Sequence, residues 1–409
     1  MSADGPHIAI IGGGPAGLMA AERLAGAGLR VTIYEHKRSV GRKFLLAGRG
    51  GLNITHGESL EDLLGRYGDR RAFLETAVHA FSPDDLRAWC AGLGESTFIG
   101  TSDRVFPASF RATPLLRAWL ARLTDRGVKI ETGHRWVGWS DTGGNRFETS
   151  DGAAIEAVAD ATVFALGGAS WPRVGSDGGW VSPFRNAGIH VSELAAANCG
   201  IVVGWSDVLA RKFAGEPIKN ARFTVGDMTS RGDAMITALG LEGGPIYALG
   251  PALRSELAAT GQATLLVDLH PDLDHASLVA RLAKRRPKAS ISSWLHSAGV
   301  SPVAVALARD VTSNHLPGDP AVLAGLLKAL PIPITAMAPI ERAISTAGGI
   351  AVTEVDEDFM LTRRPGVFVA GEMLDWEAPT GGYLLQACLS TGVAAASGVL
   401  TWLGVAPTN

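Results

Sequence analysis

The stretch IAIIGGGPAGLMAAERL, residues 8–24, has the pattern of a buried strand, a glycine-rich turn and a helix. The segment HIAII, residues 7–11, is apolar after its histidine and β-branched, which is typical of a parallel strand buried on both faces. Gly12, Gly14 and Gly17 follow with the G-x-G-x-x-G spacing of a dinucleotide-binding turn. The stretch therefore predicts a Rossmann-like βαβ unit whose helix N-terminus faces a pyrophosphate.

The next apolar segment ends in an acidic residue at the expected distance from this turn. RVTIYE, residues 30–35, ends in Glu35, and a carboxylate about 20 residues beyond the glycines binds a ribose hydroxyl in such folds. A glycine motif alone is weak evidence for a dinucleotide site, and a βαβ unit that binds no ligand is the competing interpretation. The order of strand, turn, helix, strand and acid favours a real dinucleotide site.

A C-terminal segment has a second pattern that belongs to the same kind of site. The apolar run VFVAGE ends at Gly371 and Glu372, and Gly381 and Gly382 precede an apolar helix from about Leu384. In FAD enzymes of this fold such a carboxylate binds the ribityl chain, and the helix N-terminus stabilises negative charge on the reduced flavin. A simple NAD dehydrogenase needs no such closing segment, so the two segments together favour FAD.

A third segment, ADATVFALGGAS at residues 159–170, predicts a strand and a Gly-Gly turn where the chain crosses the cofactor, near Ala165 and Gly167. The preceding region, from about residue 128 to 158, predicts a β-meander with turns at glycines. Val137 in this region has two interpretations, a backbone contact to the adenine or an ordinary core valine.

The composition limits the classes of protein that remain. The 409 residues, 46% hydrophobic and 19% charged, predict two or three globular domains of roughly 150 residues each. The net charge of −3 gives no general attraction to nucleic acid or anionic lipid. The three cysteines form no CxxC pair and no zinc spacing, which favours a reducing, cytoplasmic location. We expect no signal peptide, no membrane span and no metal.

Five further motifs carry a family resemblance: GRKFLLAGRGGLNITHGE (41–58), DRVFPASFRATPLL (103–116), GGASWPRVGSDGG (167–179), STAGGIAVTEVD (345–356) and AGEMLDWEAPTGGYLLQACLSTG (370–392). With the opening turn, they make the chain resemble the YhiN/BaiN-like family of bacterial NAD(P)/FAD-dependent oxidoreductases. The likeness runs from Ile8 to about Gly398 and weakens between about 190 and 335. AGRGGLN, residues 47–53, departs from the family's S-G-G-G-R-C-N, so the chain resembles a distinct branch.

The resemblance implies an α/β fold with a Rossmann-like, glutathione-reductase-like FAD-binding domain in two parts. A β-barrel-like and helical substrate domain is inserted between them. The expected parts are residues 1–190 and 334–409 for the FAD domain and 191–333 for the insert, β-rich over 191–270 and helical over 271–333. LPIPI, residues 330–334, is interpreted as a linker.

The glycine-dense loop at 41–58 is expected to lie against the cofactor, and the competing interpretation for its charged side chains is a solvated surface. Lys43 or Arg49 could neutralise the pyrophosphate or an anionic substrate, and His56 is a candidate proton donor, but no catalytic residue is assigned. The predicted cofactor-binding residues are Gly12, Gly13, Gly14, Pro15, Ala16, Gly17, Glu35, His36, Lys43, Arg49, Gly50, Gly51, Asn53, Val137, Ala165, Gly167, Gly371, Glu372, Gly381, Gly382 and Leu384.

The resemblance implies a cytoplasmic oxidoreductase that takes hydride from NADH or NADPH and reduces an activated C=C bond in a small molecule. No second dinucleotide turn follows a strand, so the nicotinamide coenzyme is expected to bind transiently. Reduction of uridine in ribosomal RNA is a second possible reaction, which the net charge of −3 does not favour. The same motifs are compatible with a flavin oxidase or monooxygenase, and with a non-catalytic FAD-bound protein.

Overall fold

The computed structural model describes residues 5–286 and 288–406, without the side chain of Arg49. The chain forms two compact units: unit 1 comprises Met1–Ala195 and Ser345–Asn409, and unit 2 comprises Ala196–Ile344. The sequence-based boundaries at 190 and 333 lie somewhat before the observed ones. Unit 1 is therefore discontinuous in sequence, and unit 2 is inserted into it.

The strands among the described residues are numbered in chain order. They are β1 (His7–Ile11), β2 (Arg30–Glu35), β3 (Thr55–His56), β4 (Thr97–Ile99), β5 (Arg104–Pro107), β6 (Lys129–Thr132), β7 (His134–Trp139), β8 (Asn145–Thr149), β9 (Ala154–Ala157), β10 (Ala161–Phe164), β11 (Val191–Ala197), β12 (Ile201–Val202), β13 (Pro217–Val225), β14 (Met228–Ile236), β15 (Gly240–Glu242), β16 (Ala263–Asp268), β17 (Leu330–Ile334), β18 (Ala336–Met337), β19 (Ser345–Ile350) and β20 (Val367–Val369).

The α-helices in the same part of the chain are numbered in the same way. They are α1 (Pro15–Gly26), α2 (Arg42–Ala47), α3 (Leu60–Gly65), α4 (Arg71–Ala80), α5 (Pro83–Gly92), α6 (Ala112–Asp125), α7 (Val181–Asn186), α8 (Asp207–Lys212), α9 (Gly244–Ala248), α10 (Gly250–Thr260), α11 (His275–Leu282), α12 (Ile291–Ser297), α13 (Pro302–Val311), α14 (Pro320–Lys328) and α15 (Tyr383–Leu403).

The centre of unit 1 is a five-stranded parallel sheet with the order β20-β10-β1-β2-β6. Strand β1 occupies the middle, and Ile8 pairs with Val31 on one side and with Ala161 on the other. Its side chains from residue 8 to 11 are buried, which explains why this strand has no polar alternation. The carboxyl ends of all five strands therefore lie at one edge of the sheet, where α1 begins.

The predicted β-meander is confirmed as the antiparallel sheet β7-β8-β9. Its register shifts between Trp136 and Gly138, so Val137 is the extra residue of a bulge and its side chain is 41% exposed. Val137 is thus not the core valine that one interpretation expected. The small sheet β3-β5-β4 and the pair β11-β19 complete the strands of unit 1.

Helix α15 is the one described helix long and apolar enough to cross a membrane by length and composition. Within the protein, 72% of its most apolar window is buried, and it packs against α1 and α4. A core helix of a globular unit has the same composition, because nearly all of its faces meet other elements. Burial is therefore a sufficient reason for its apolar character.

Unit 2 is built on a seven-stranded sheet with the order β17-β16-β13-β14-β15-β12-β18. The two edge strands, β17 and β18, are joined by Thr335 alone, so the sheet curls until its edges approach each other. This is the barrel-like form that the family resemblance implies. Helices α11 to α14 follow β16 and pack with it around the second core.

The interpretation of residues 330–334 as a linker is wrong, because this segment is strand β17. Leu330, Ile332 and Ile334 are buried, while the two prolines between them are exposed. Proline lacks the N–H that a central strand must donate, but an edge strand tolerates it. In the sequence, the alternation of apolar residues with prolines indicated a strand. The prolines favoured the linker interpretation instead, because proline is rare inside strands.

Candidate cofactor-binding site

A cleft of about 660 Å³ lies in unit 1 where β1, β2, β10 and β20 end. Ligands of open α/β sheets bind outside the carboxyl ends of the strands, which is the position of this cleft. Its lining residues are Gly12, Gly13, Gly14, Pro15, Ala16, Glu35, His36, Ser39, Gly41, Arg42, Lys43, Ala165, Leu166, Gly167, Val174, Gly175, Ser176, Ala370, Gly371, Glu372 and Cys388.

Each of the three motif glycines has a different structural role. Gly12 has a φ of +110°, and a Cβ there would lie 2.3 Å from the carbonyl oxygen of Ala165. A Cβ on Gly17 would lie 2.0 Å from the carbonyl oxygen of Gly12, so α1 packs directly on the turn. A Cβ on Gly14 would meet nothing within 4 Å. Gly14 therefore leaves open space before the N-terminus of α1, where backbone amides and the helix dipole attract an anion.

The Glu35 carboxylate fixes the turn beside this space. One oxygen accepts the N–H of Gly13 at 3.0 Å and the other accepts the N–H of Lys37 at 2.8 Å. Burial raises the pKa of the Glu35 carboxyl, and the two backbone donors oppose that shift. The predicted acid thus lies in the cleft and also holds the glycine turn in place.

Glu372 and Lys43 form the main charge pair of the cleft. Lys43 Nζ lies 2.6 Å from one Glu372 oxygen and also donates to Ser170 Oγ at 2.7 Å. The other Glu372 oxygen accepts the N–H of Thr346 at 3.0 Å. A carboxylate this buried needs a charged partner and hydrogen bonds, and both are supplied by segments distant in sequence.

Three polar atoms of cleft-lining residues are buried and have no hydrogen-bond partner among the residues that the structure describes. They are His36 Nε2, Arg42 Nε and Ser176 Oγ. Burial lowers the pKa of His36 to about 4, so its ring is neutral near pH 7. Buried polar groups without partners are costly, and a ligand with several oxygen atoms would satisfy them. With the open space at Gly14, these atoms fit a phosphate-bearing dinucleotide such as FAD.

The structure brings twelve of the predicted residues into the lining of this cleft, from both parts of unit 1. They are Gly12, Gly13, Gly14, Pro15, Ala16, Glu35, His36, Lys43, Ala165, Gly167, Gly371 and Glu372. Their contact with a cofactor stays a prediction. Their convergence means that the N-terminal and C-terminal patterns belong to one site.

Several predicted residues lie outside the lining. Gly17 serves helix packing, and the Asn53 amide donates to the backbone oxygens of Thr55 and Val105 at 2.7 and 3.1 Å. The remaining described ones are Gly50, Gly51, Val137, Gly381, Gly382 and Leu384. The side chain of Arg49 lies outside the described part of the chain. For these residues a cofactor contact stays a prediction.

Close packing of neighbouring atoms leaves no room for a side chain at Gly51 or Gly382. A Cβ on Gly51 would lie 2.2 Å from the ring of Phe110, and one on Gly382 would lie 2.6 Å from Thr55 Cα. Gly382 is also the N-cap of α15. Gly51 and Gly382 thus have packing reasons that do not depend on a ligand, whereas a Cβ on Gly50 would meet nothing within 4 Å.

Sequence reasoning missed several lining residues, of which Arg42, Ser176 and Cys388 matter most. Arg42 precedes Lys43 at the start of helix α2, and this adjacency in sequence could have indicated its place in the cleft. Ser176 has no local pattern that marks it. Cys388 is buried, which raises the pKa of its thiol and makes it an unreactive wall residue.

A parallel sheet, a glycine turn at its central strand and a site assembled from two distant segments define a Rossmann-fold dinucleotide-binding protein. FAD-dependent oxidoreductases share this arrangement. The chain belongs to the HI0933-like protein Rossmann domain family, whose profile matches residues 6–398. This membership confirms the family resemblance and the fold class predicted from the sequence.

Known proteins resemble the chain over nearly its whole length. The 3-dehydro-bile acid delta(4,6)-reductase of Clostridium scindens is 26% identical over 405 residues, which cover 94% of this chain and 97% of the relative. The crystal structure of 3-ketosteroid delta1-dehydrogenase from Sterolibacterium denitrificans in complex with 1,4-androstadiene-3,17-dione matches with a TM-score of 0.56 and 14% identity. That match covers 97% of this chain and 100% of the matched chain, and it supports the shared fold.

Proposed function

We propose that the protein is an FAD-dependent reductase that uses NADH or NADPH to reduce an activated C=C bond in an apolar small molecule. The observation that carries this proposal is the cleft built from both parts of unit 1, with its glycine turn, its buried Lys43–Glu372 pair and its unpartnered polar atoms. The similarity to a bile acid reductase over 94% of the chain supports the type of reaction.

Each part of the cleft has a place in holding the cofactor. The N-terminal amides of α1 would bind the pyrophosphate, and Glu35 would accept hydrogen bonds from the ribose of the adenosine half. Lys43 and Glu372 would contact the polar chain that leads to the flavin ring. When bound, FAD supplies hydride transfer, and the protein supplies orientation and electrostatics.

The first experiment is an anaerobic absorption spectrum of the purified protein before and after the addition of NADPH and then NADH. We expect a flavin spectrum that bleaches within seconds with at least one of the two coenzymes. A flavin that stays oxidised with both would contradict the proposed electron donor. A protein that neither contains flavin nor retains it on reconstitution would overturn the proposal as a whole.

The second experiment identifies the reaction. The reduced protein is mixed anaerobically with steroids that carry a conjugated ketone, and products are analysed by mass spectrometry for the gain of two hydrogen atoms. We expect reoxidation of the flavin in step with product formation. Rapid peroxide release in air without such a product would instead support a flavin oxidase, and absence of any turnover would support a non-catalytic flavoprotein.

A further inference from the structure

The motif STAGGIAVTEVD, residues 345–356, belongs to the family resemblance, yet it lies outside the lining of the cofactor cleft. Its first half forms strand β19 (Ser345–Ile350), which pairs with β11. The chain returns to unit 1 at this strand, because unit 2 ends at Ile344. Any role of β19 in the cofactor site must therefore act through residues that do line the cleft.

Two glycines hold β19 between neighbouring backbones. Gly348 has a φ of +81°, and a Cβ there would lie 2.0 Å from the carbonyl oxygen of Glu193 in β11. Gly349 has a φ of +136°, and a Cβ there would lie 2.5 Å from the carbonyl oxygen of Met373, which follows β20. Side chains at these two positions would push β19 away from both neighbours. The glycines thus fix β19 beside the segment that contains Glu372.

Thr346 on β19 joins two parts of the wall of the cleft. Its backbone N–H donates to Glu372 Oε1 at 3.0 Å. Its Oγ1 accepts the N–H of Ala169 at 2.9 Å and that of Ser170 at 3.2 Å. A Cβ on Gly168 would lie 2.2 Å from this oxygen, so the turn after β10 packs closely around the Thr346 hydroxyl. Thr346 is fully buried, so bulk water does not compete for these bonds.

These contacts close a ring of four residues. Lys43 Nζ donates to Ser170 Oγ at 2.7 Å and to Glu372 Oε2 at 2.6 Å, and Thr346 bonds to the same two residues at other atoms. The ring therefore holds both oxygens of the Glu372 carboxylate, and both the backbone and the hydroxyl of Ser170. Such a ring restrains the carboxylate more than the ion pair alone, because each bond limits a movement that the others permit.

We propose that Thr346 is a positioning residue of the cofactor site. Its N–H orients the Glu372 carboxylate and its hydroxyl holds the turn at residues 167–170, so that both are in place before the polar chain of FAD binds. The inference rests on the proposed function for the identity of the cofactor. A site whose groups are already ordered binds more tightly, because binding does not have to order them. Thr346 acts through Glu372 and Ser170 and needs no contact of its own with the cofactor.

The test is isothermal titration calorimetry of the full-length apoprotein with FAD. Thr346→Val keeps the shape and the backbone N–H but leaves the two N–H groups of the turn without their acceptor. We expect its Kd for FAD to rise about tenfold. Thr346→Ser restores the hydroxyl and should bind FAD within about twofold of the wild-type Kd. If the valine variant does not fold, Thr346→Ala removes the same hydroxyl with less bulk and carries the same expectation.

Thr162→Val is the matched control for a general loss of stability. Thr162 is a buried threonine on β10 whose Oγ1 accepts an N–H of the Asn145 side chain at 2.9 Å, and this bond is not part of the ring. This variant should lose stability, yet keep the wild-type Kd for FAD. The visible circular dichroism of the bound flavin reports its surroundings. It should change in Thr346→Val and stay unchanged in Thr162→Val and Thr346→Ser.

The inference is overturned if Thr346→Val binds FAD with the wild-type Kd and spectrum. It is also overturned if Thr162→Val raises the Kd equally, because the effect would then be one of general stability. Reduction of the bound flavin by NADPH and NADH is measured in the same wild-type preparation. A wild type that binds FAD but is reduced by neither coenzyme contradicts the proposed electron donor, whereas a Kd that depends on the Thr346 hydroxyl still supports the inference. A wild type that binds no FAD overturns both.

Discussion

The ammonium of Lys43 lies 2.6 Å from the carboxylate of Glu372, although 329 residues separate the two in sequence. The Glu372 side chain is 6% exposed and that of Lys43 is 25% exposed, so the pair is largely shielded from water. Ion pairs on open surfaces contribute little to stability, whereas removal of one partner of a buried pair is costly. This pair ties helix α2, which follows β2, to the segment that follows β20, and it joins the two parts of the site.

Replacement of Lys43 by Met should destabilise unit 1, because it leaves the Glu372 carboxylate buried without its cation. We expect a loss of about 3 kcal/mol in the free energy of unfolding and a lower flavin content. Urea denaturation followed by circular dichroism measures the first, and the absorbance ratio of flavin to protein measures the second. Lys43→Met combined with Glu372→Gln should recover part of the stability, and an equal loss in both proteins would contradict the argument.

From the sequence, Lys43 and Glu372 were each predicted as cofactor-binding residues, but the contact between them was not predicted. Gly12, Glu35 and Glu372 were found because each lies at or just after the end of an apolar strand. The carboxyl ends of parallel strands meet at one edge of the sheet. Ser176 has no such local pattern, because tertiary packing alone brings it to the cleft. Strand β17 was misread for a related reason, since only its position at a sheet edge permits its prolines.

Alanine substitutions at Gly14 and Gly17 should affect different properties: the first should lower FAD retention, and the second should lower the stability of the protein. Gly14→Ala should change the free energy of unfolding by less than about 1 kcal/mol, because its Cβ meets nothing within 4 Å, yet it should lower FAD retention. Gly17→Ala should cost at least about 2 kcal/mol, because its Cβ would lie 2.0 Å from the Gly12 oxygen. Thermal unfolding of the apoproteins and flavin reconstitution separate the two effects. Full flavin binding by a stable Gly14→Ala protein would argue against a phosphate at this place.

Thr391 positions the backbone of the cleft from inside helix α15. Its Oγ1 accepts the N–H of Gly371 at 3.0 Å and donates to the oxygen of Ala387 at 2.7 Å. Thr391→Val keeps the shape but leaves a buried N–H unpaired, so we expect a loss of about 2 kcal/mol in urea denaturation. Ser397→Ala removes a hydroxyl that bonds only within the same helix, at 3.1 Å to Val393, and should change stability by less than about 0.5 kcal/mol. Equal losses in the free energy of unfolding of the two variants would show that the backbone N–H of Gly371 does not need the Thr391 hydroxyl.

His36 should make the apoprotein less stable in mild acid. Its pKa is lowered from 6.5 to about 4, chiefly by burial, while Asp177 opposes the shift. Between these two pH values the unfolded chain binds a proton that the folded protein does not, so stability falls as the pH drops from about 6.5 towards 4. His36→Gln cannot titrate and should lose less stability over the same interval. Urea midpoints of both apoproteins at about pH 7 and pH 5 measure the difference, and parallel losses in the two proteins would assign the acid sensitivity to groups elsewhere in the chain.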